Sequence, residues 1–239
     1  MQAFVLSAGM GSRLYPITKT LPKPLVEVQG QTLLERNLLK LKTSGYSKII
    51  INLHFFPQQI IDFLEANSFF GLEIQWVIEK ELLETGGGVK NALQFIDSSK
   101  PLTIVNADIL SNIDLIKLHN FYIKESADAV LAIKNRNSSR KLIFNDNGEL
   151  KAWTSIKENK FKPSDYMQNP LDKERAFSGI QIVNPELFEE TKLEGKFSLI
   201  DLYIEQSKTK RILGWEHNAD YLLDVGTIDK LQKAQHFKL

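Results

Sequence analysis

The chain has 239 residues, which at roughly 150 residues per domain allows one large domain or two small ones. Hydrophobic residues make up 43% and charged residues 25%, which sets aside a disordered, collagenous or coiled-coil chain. Lys plus Arg number 30 and Asp plus Glu 29, a net charge of +1 that leaves no overall footprint for nucleic acid or anionic membrane, so any anion site must be local.

The absence of Cys removes disulfides, thiol nucleophiles and cysteine-based zinc sites. His54, His119, His217 and His236 are scattered without ligand spacing. No apolar run approaches the ~18 residues of a membrane helix. The start lacks the basic n-region of a signal peptide. A cytoplasmic protein is the expectation.

Phe4 to Leu6 form a short apolar run that stops at a Gly/Ser loop, as a buried parallel strand would. Leu34, Leu38 and Leu41 then recur at helical spacing from Thr32 to Ser44, with Gly45 as the stop. Ile49 to Ile51 is the next strand, and Pro57 suits the first turn of a helix carrying Ile60, Ile61 and Leu64. Ile74, Trp76 and Ile78 alternate as a strand, Val89 to Phe95 reads as a helix, and Leu102 to Val105 as a strand. A helix with Leu115, Leu118 and Tyr122 precedes the strand Ala129 to Ile133.

This alternation predicts an α/β fold with a Rossmann-like, mostly parallel sheet and crossover helices on its faces. After Lys134 the rhythm changes. Leu142 to Phe144 and Leu150 to Trp153 are short strand candidates, and the Lys-rich stretch from Lys157 to Arg175 reads as an insertion or lid over the carboxyl edge of the sheet. Ile180 to Val183, two short helices and Tyr221 to Leu223 return the chain to the core, and Thr227 caps a last helix. The expected organisation is a single domain over 1–239, in two halves, 1–134 and 135–239.

Five of the 13 glycines fall in two clusters, SAGMGSR (7 to 13) and ETGGG (84 to 88). The first follows a strand, so its N–H groups can surround phosphate oxygens. Arg13, Lys19 and Lys23 precede the first acid, Glu27, which favours an anion there. A dinucleotide fingerprint would need a third glycine where Leu14 stands, and no Gly-Lys-Ser/Thr triplet supplies a Walker A loop. Asp108 follows an apolar strand and is expected at the carboxyl edge, where open α/β sheets bind ligands; Asp224 follows Tyr221 to Leu223 in the same way.

The run LSAGMGSRLYPITKTLPKPL resembles the opening signature of the sugar-1-phosphate nucleotidyltransferases, L-x-A-G-x-G-x-R-L followed by P-x-T and P-K-P-L. ETGGG, NAD at 106 to 108, FSGI at 177 to 180 and DVGT at 224 to 227 continue the resemblance in family order, so it covers nearly the whole chain. It implies a Mg²⁺-dependent transferase that joins a nucleoside triphosphate to a sugar 1-phosphate and expels pyrophosphate.

By this resemblance Ala8, Gly9, Gly11 and Ser12 cradle the triphosphate, Arg13 binds the departing pyrophosphate, Lys23 the α-phosphate, and Asp108 and Asp224 the metal. Glu84, Gly87 and Gly88 approach the base and ribose. Asn106, Arg140, Ser178 and Gly179 fall on the sugar side. A uridylyltransferase acting on an N-acetylmuramate-like hexose 1-phosphate, feeding nucleotide-sugar and cell-wall synthesis, is the expectation. Guanylyltransferase, cytidylyltransferase and a nucleotide-sensing regulatory subunit are the alternatives. The family's E-K-P motif for the sugar phosphate is missing between 140 and 176. The expected partners are these two small substrates, with no nucleic acid or membrane, and the expected state is a monomer or small homo-oligomer.

Overall fold

The computed structural model describes residues 1–238. In chain order the first half forms β1 (Gln2–Leu6), β2 (Glu27–Val28), β3 (Gln31–Thr32), α1 (Leu33–Thr43), β4 (Lys48–Leu53), α2 (Pro57–Ala66), β5 (Glu73–Ile78), α3 (Glu84–Asn91), β6 (Leu102–Asn106), β7 (Ile109–Ser111), α4 (Leu115–Glu125) and β8 (Ala129–Lys134). The second half adds β9 (Arg140–Phe144), β10 (Leu150–Ser155), β11 (Lys160–Lys162), β12 (Lys173–Val183), α5 (Glu186–Glu190), α6 (Leu199–Gln206), β13 (Ile212–Glu216), β14 (Leu222–Asp224) and α7 (Ile228–His236).

β1 is central because Ala3, Phe4 and Val5 are wholly buried, as a strand covered on both faces requires. It pairs in parallel with β4 and β6, and β5 continues the parallel set beyond β4. β12 runs antiparallel between β6 and β8, and β13 pairs in parallel with β8. The Rossmann-like, mostly parallel sheet expected from the alternation is therefore present, with β12 the antiparallel member.

Because β12 runs the other way, its first half passes beyond the carboxyl end of β6. There Lys173 to Arg175 pair with β9, which pairs with β10 and then β11. Within the polar stretch from 157 to 175, expected as an insertion or lid, Lys160–Lys162 and the start of β12 extend the sheet at that edge. Its charged residues hid the strand because half of this extension faces solvent.

Two further expectations need correction. The helix expected over Val89 to Phe95 begins at Glu84, and Leu93–Phe95 form a separate 3₁₀ turn. Three successive glycines cost a helix about 1 kcal/mol each, so only close packing explains their place inside one. β14 does not return to the main sheet but pairs with β7 in a separate ribbon. β13, which no sequence pattern announced, takes the edge position beside β8.

α1 illustrates how local signals and packing agree. Thr32 caps it, its Oγ1 accepting from the Glu35 amide at 3.0 Å. Leu34 and Leu38 on one face are fully buried against the sheet, each worth roughly 1.5–3 kcal/mol. Asn37 on the same helix donates to the Ala107 carbonyl at 3.0 Å, which ties α1 to the turn before Asp108.

Candidate functional site

The carboxyl ends of β1, β4 and β6 bring Leu6, Asn52 and Asn106 side by side. The Ser7 amide donates to Asn52 Oδ1 (2.8 Å) and the Ala107 amide to Leu6 carbonyl (3.1 Å), which fixes where both loops leave the sheet. Beyond Ser7 the glycine loop turns at Gly11, whose φ of +63° lies in the left-handed region. Thr18 Oγ1 donates to the Gly11 carbonyl at 2.8 Å, folding the loop back on the Pro22–Lys23–Pro24 turn. Among the described residues, no protein group accepts the amides of Gly9, Met10 or Gly11. They form the free N–H edge that an anion needs.

Lys23 forms an ion pair with Asp108 in a half-buried setting. The Val225 amide donates to the Asp108 carbonyl at 2.9 Å, and Asp224 stands opposite Ile109 in the β7–β14 ribbon. The two aspartates, remote in sequence, thus share one short ribbon. Lys230 on α7 reaches Asp224 Oδ2 at 2.6 Å, while Asp224 Oδ1 is buried without a hydrogen-bond partner. A Cβ on Gly226 would lie 2.7 Å from that Oδ1 and 3.2 Å from an Arg13 terminal nitrogen, so glycine is what lets Arg13 come near. Two carboxylates carried by one ribbon and the turn before it, one with an orphaned buried oxygen, fit a hard divalent cation that takes its other ligands from phosphate and water.

Three cavities join along this edge. The first, about 200 Å³, is lined by Ser7, Ala8, Gly9, Lys23, Asn106 and Asp108 together with Asn52, Glu79 and Thr85. It meets a second of about 490 Å³ at Glu84, where Trp153 and Phe161 form an apolar wall and the Lys162 ammonium lies 5.3 Å from the Trp153 ring centre. Arg140 and Glu158 connect this to a third, about 700 Å³, lined by Arg13, Arg136, Lys157, Asp224 and Lys230. Arg136 is half-buried, and burial lowers its pKa while the Asp224 charge raises it. This last cavity carries five cations against two carboxylates.

The residues singled out from the sequence fall in different places. Arg13, Lys23, Asp108, Asp224 and Arg140 lie on the joined cavities, as do Ala8, Gly9 and Asn106. Ser12 is exposed beside Arg13. Gly87 and Gly88 do not edge the cleft with free amides. They lie buried inside α3, and the Gly86 and Gly87 amides both donate to the Phe197 carbonyl, at 2.9 and 3.1 Å. Glu84 stands at the start of that helix, exposed, with a φ of +61°.

Ser178 and Gly179 occupy a bulge. β12 pairs Phe177 with Ile133 and next Gln181 with Leu131, so two extra residues loop out, and Gly179 has a φ of +73°. Ser178 Oγ is 2.7 Å from His217 Nε2, both buried, and Gly179 presses on Asn106. Burial lowers the His217 pKa to about 4, with the nearby Asp220 charge opposing it.

Sequence reasoning overlooked Asn52, Glu79, Arg136, Lys157 and Lys230. Glu79 is 3% exposed, accepts from Asn52 Nδ2 at 2.7 Å and from the Leu83 amide at 3.1 Å. An acid ending an alternating strand was the available signal for it. The three basic residues sit in polar stretches that read as solvated surface.

An amide-edged glycine loop, a cationic cavity and two carboxylates at the carboxyl edge of an open sheet are parts that phosphate-binding α/β proteins use. Residues 2–239 match the Nucleotidyl transferase family, and the chain belongs to it. It is 31% identical over 238 residues to N-acetylmuramate alpha-1-phosphate uridylyltransferase of Neisseria meningitidis serogroup B, covering 98% of this chain and 97% of that one. To D-glycero-alpha-D-manno-heptose 1-phosphate guanylyltransferase of Aneurinibacillus thermoaerophilus it is 27% identical, covering 98% and 97%.

Among solved structures, HddC from Yersinia pseudotuberculosis complexed with GMP-PN superposes with a TM-score of 0.77 at 21% identity, covering 98% of this chain and 97% of that one. A putative glucose-1-phosphate thymidylyltransferase from Bacillus anthracis gives 0.83 at 18%, covering 100% and 97%. The chain is therefore an NTP-dependent transferase of the sugar-1-phosphate nucleotidyltransferase type. Among the described residues no helix is long and apolar enough to cross a membrane.

Proposed function

We propose that this chain transfers a uridylyl group from UTP to N-acetylmuramate 1-phosphate or a closely similar hexose 1-phosphate, releasing pyrophosphate. The observation that carries the reaction is the cavity of five cations lined by Asp224, whose ribbon partner strand directly follows Asp108. A phosphate oxygen of the sugar 1-phosphate attacks the α-phosphorus in line. Both reactants are anions, so positioning and charge cancellation supply most of the rate. No general base is needed, since the sugar phosphate is already ionised at neutral pH.

The free amides of Gly9, Met10 and Gly11 receive the polyphosphate, Arg13 grips the departing pyrophosphate through its planar fork, and Lys23 moves from Asp108 toward the α-phosphate. Asp108 and Asp224 would hold Mg²⁺, which when bound offsets negative charge on the attacked group. Trp153 offers an apolar face to the sugar ring. Arg140 and Lys157 stand where the acceptor phosphate can reach them in place of the missing E-K-P contact. The nucleotide half (1–134) and acceptor half (135–239) act as one domain, joined by β12, which pairs with strands of both.

The choice of uridine and of the acceptor rests on the 31% relative, whereas the 27% relative favours guanosine with a heptose. Pyrophosphate release measured for four nucleoside triphosphates against a panel of sugar 1-phosphates with Mg²⁺ decides between them. UTP with N-acetylmuramate 1-phosphate is expected to lead. A preference of about tenfold or more for GTP with a heptose or mannose 1-phosphate, about 1.4 kcal/mol, would replace it.

Asp108→Asn and Asp224→Asn are each expected to lower turnover by roughly 10²- to 10³-fold, with little further loss in the double variant because each removes the same ion. Losses that multiply in the double variant would separate the two carboxylates.

A further inference from the structure

The first turn of α7 holds a lysine where helix electrostatics disfavour one. Lys230 lies three residues after the cap Thr227, whose Oγ1 accepts from its amide at 3.4 Å. Its ammonium is therefore near the positive end of the helix dipole. Its side chain is 46% exposed, and an ion pair that open to water does little to hold a fold together. Neither the helix nor the stability of the pair accounts for this residue.

The cavity it lines does account for it. Lys230 and Arg13 face the same space, with Asp224 between them, and Arg136 nearby is half-buried with Asp224 as its charge partner. Across the ribbon Lys23 stands against Asp108 in the same way. Each carboxylate of the pair thus already has a lysine as counter-ion. A free divalent cation approaching either oxygen meets a like charge a few ångströms away, in a cleft with a surplus of positive charge. A polyphosphate anion reverses this, because it attracts both ammonium groups and brings negative charge to the carboxylate pair.

We propose that Lys230 is a polyphosphate ligand that serves as counter-ion to Asp224 until the nucleotide arrives, so that the carboxylate pair accepts a divalent cation only together with a polyphosphate. The proposal rests on the phosphoryl-transfer reading above and adds to it a residue and an order of events. Lys230 takes the terminal phosphates beside Arg13, and Lys23 takes the α-phosphate. Both carboxylates are released to the metal by the same anion.

Two binding measurements on the intact chain test it, neither of which needs turnover. Binding of Mn²⁺ alone is followed by the loss of its free paramagnetic resonance signal, and binding of inorganic pyrophosphate without metal by calorimetry. Lys230→Met is expected to bind Mn²⁺ alone on the order of tenfold tighter and pyrophosphate on the order of tenfold weaker. Lys230→Arg keeps the charge and is expected to restore both values. Lys230→Gln repeats the test with a polar side chain should the methionine variant not fold.

Opposite shifts distinguish this role from a structural one, which would weaken both ligands together. Unchanged or weaker Mn²⁺ binding in the neutral variants, or unchanged pyrophosphate binding, overturns the proposal. Failure of the wild type to turn over any substrate pair overturns the phosphoryl-transfer reading instead, and the two failures are separately visible.

Discussion

The two glycine clusters look alike in sequence and do opposite things in space. In the loop from Ser7 to Arg13 the glycines leave backbone amides open. Gly9 has nothing within 4 Å of where a Cβ would stand, and Gly11 supplies a left-handed turn. In α3 the glycines close space. A Cβ on Gly86 would lie 2.4 Å from the Phe197 ring, on Gly87 2.1 Å from the Gly195 carbonyl oxygen, and on Gly88 2.6 Å from Glu79 Oε1. The first cluster is shaped for a ligand and the second for the protein itself, letting α3 seat against the 195–198 segment and the Asn52–Glu79 pair.

Substitution breaks this comparison open, and Gly87→Ala is the severest case. Backbone must move to admit the methyl, a cost of about 3 kcal/mol, or a fall in melting temperature of roughly 6–12 °C for a chain of this size. Turnover per folded molecule should survive. A variant that melts normally yet loses activity would make the α3 glycines ligand-facing after all.

Acid acts on the buried Ser178–His217 contact. In the unfolded chain the His217 imidazole takes up its proton near pH 6.5, whereas the buried ring resists until about 4. Between those values the unfolded state binds more protons, so the contribution is complete above about 6.5 and shrinks as pH falls toward 4. Melting temperature followed from pH 7 to 4.5 should drop more in wild type than in His217→Gln. Parallel curves would remove the burial argument.

Gly11→Ala sits between the two clusters in effect. Left-handed backbone costs an alanine about 1–2 kcal/mol, and its Cβ would press on Lys23 Cβ at 3.0 Å. Calorimetry should register that loss, with turnover falling as Lys23 shifts. Gly9→Ala is the mildest on the fold, within about 0.5 kcal/mol, yet it narrows the anion cradle and should raise KM for the nucleoside triphosphate about tenfold. An unaltered KM would place the phosphates elsewhere.

Legibility of the chain followed the reach of the forces involved. β1, α1, α2, α4 and β8 could be read directly, because burial periodicity and caps act within a few residues. β13 was missed because Gly214 and the charged Glu216 break its pattern, and the partner that makes it a strand, β8, lies far back in the chain. The start of α3 was missed because glycine propensity points away from helix, and only contact with Phe197 and Gly195 overrides it. Asp108 and Asp224 could be singled out as strand-end acids. Lys230, Lys157 and Arg136 could not, since a cation facing a cavity and one facing water have the same local sequence.

The β7–β14 ribbon has a consequence for how the protein comes to exist. Its strands are synthesised at very different times, and Asp224 finds Asp108 only after α6 and β13 have emerged, because β14, which follows them, pairs among the described residues with β7 alone. A nascent chain that folds from its N-terminus therefore displays the glycine loop and Lys23 well before it owns a second carboxylate. Until the ribbon closes, a nucleotide that reaches the glycine loop and Lys23 meets half a site.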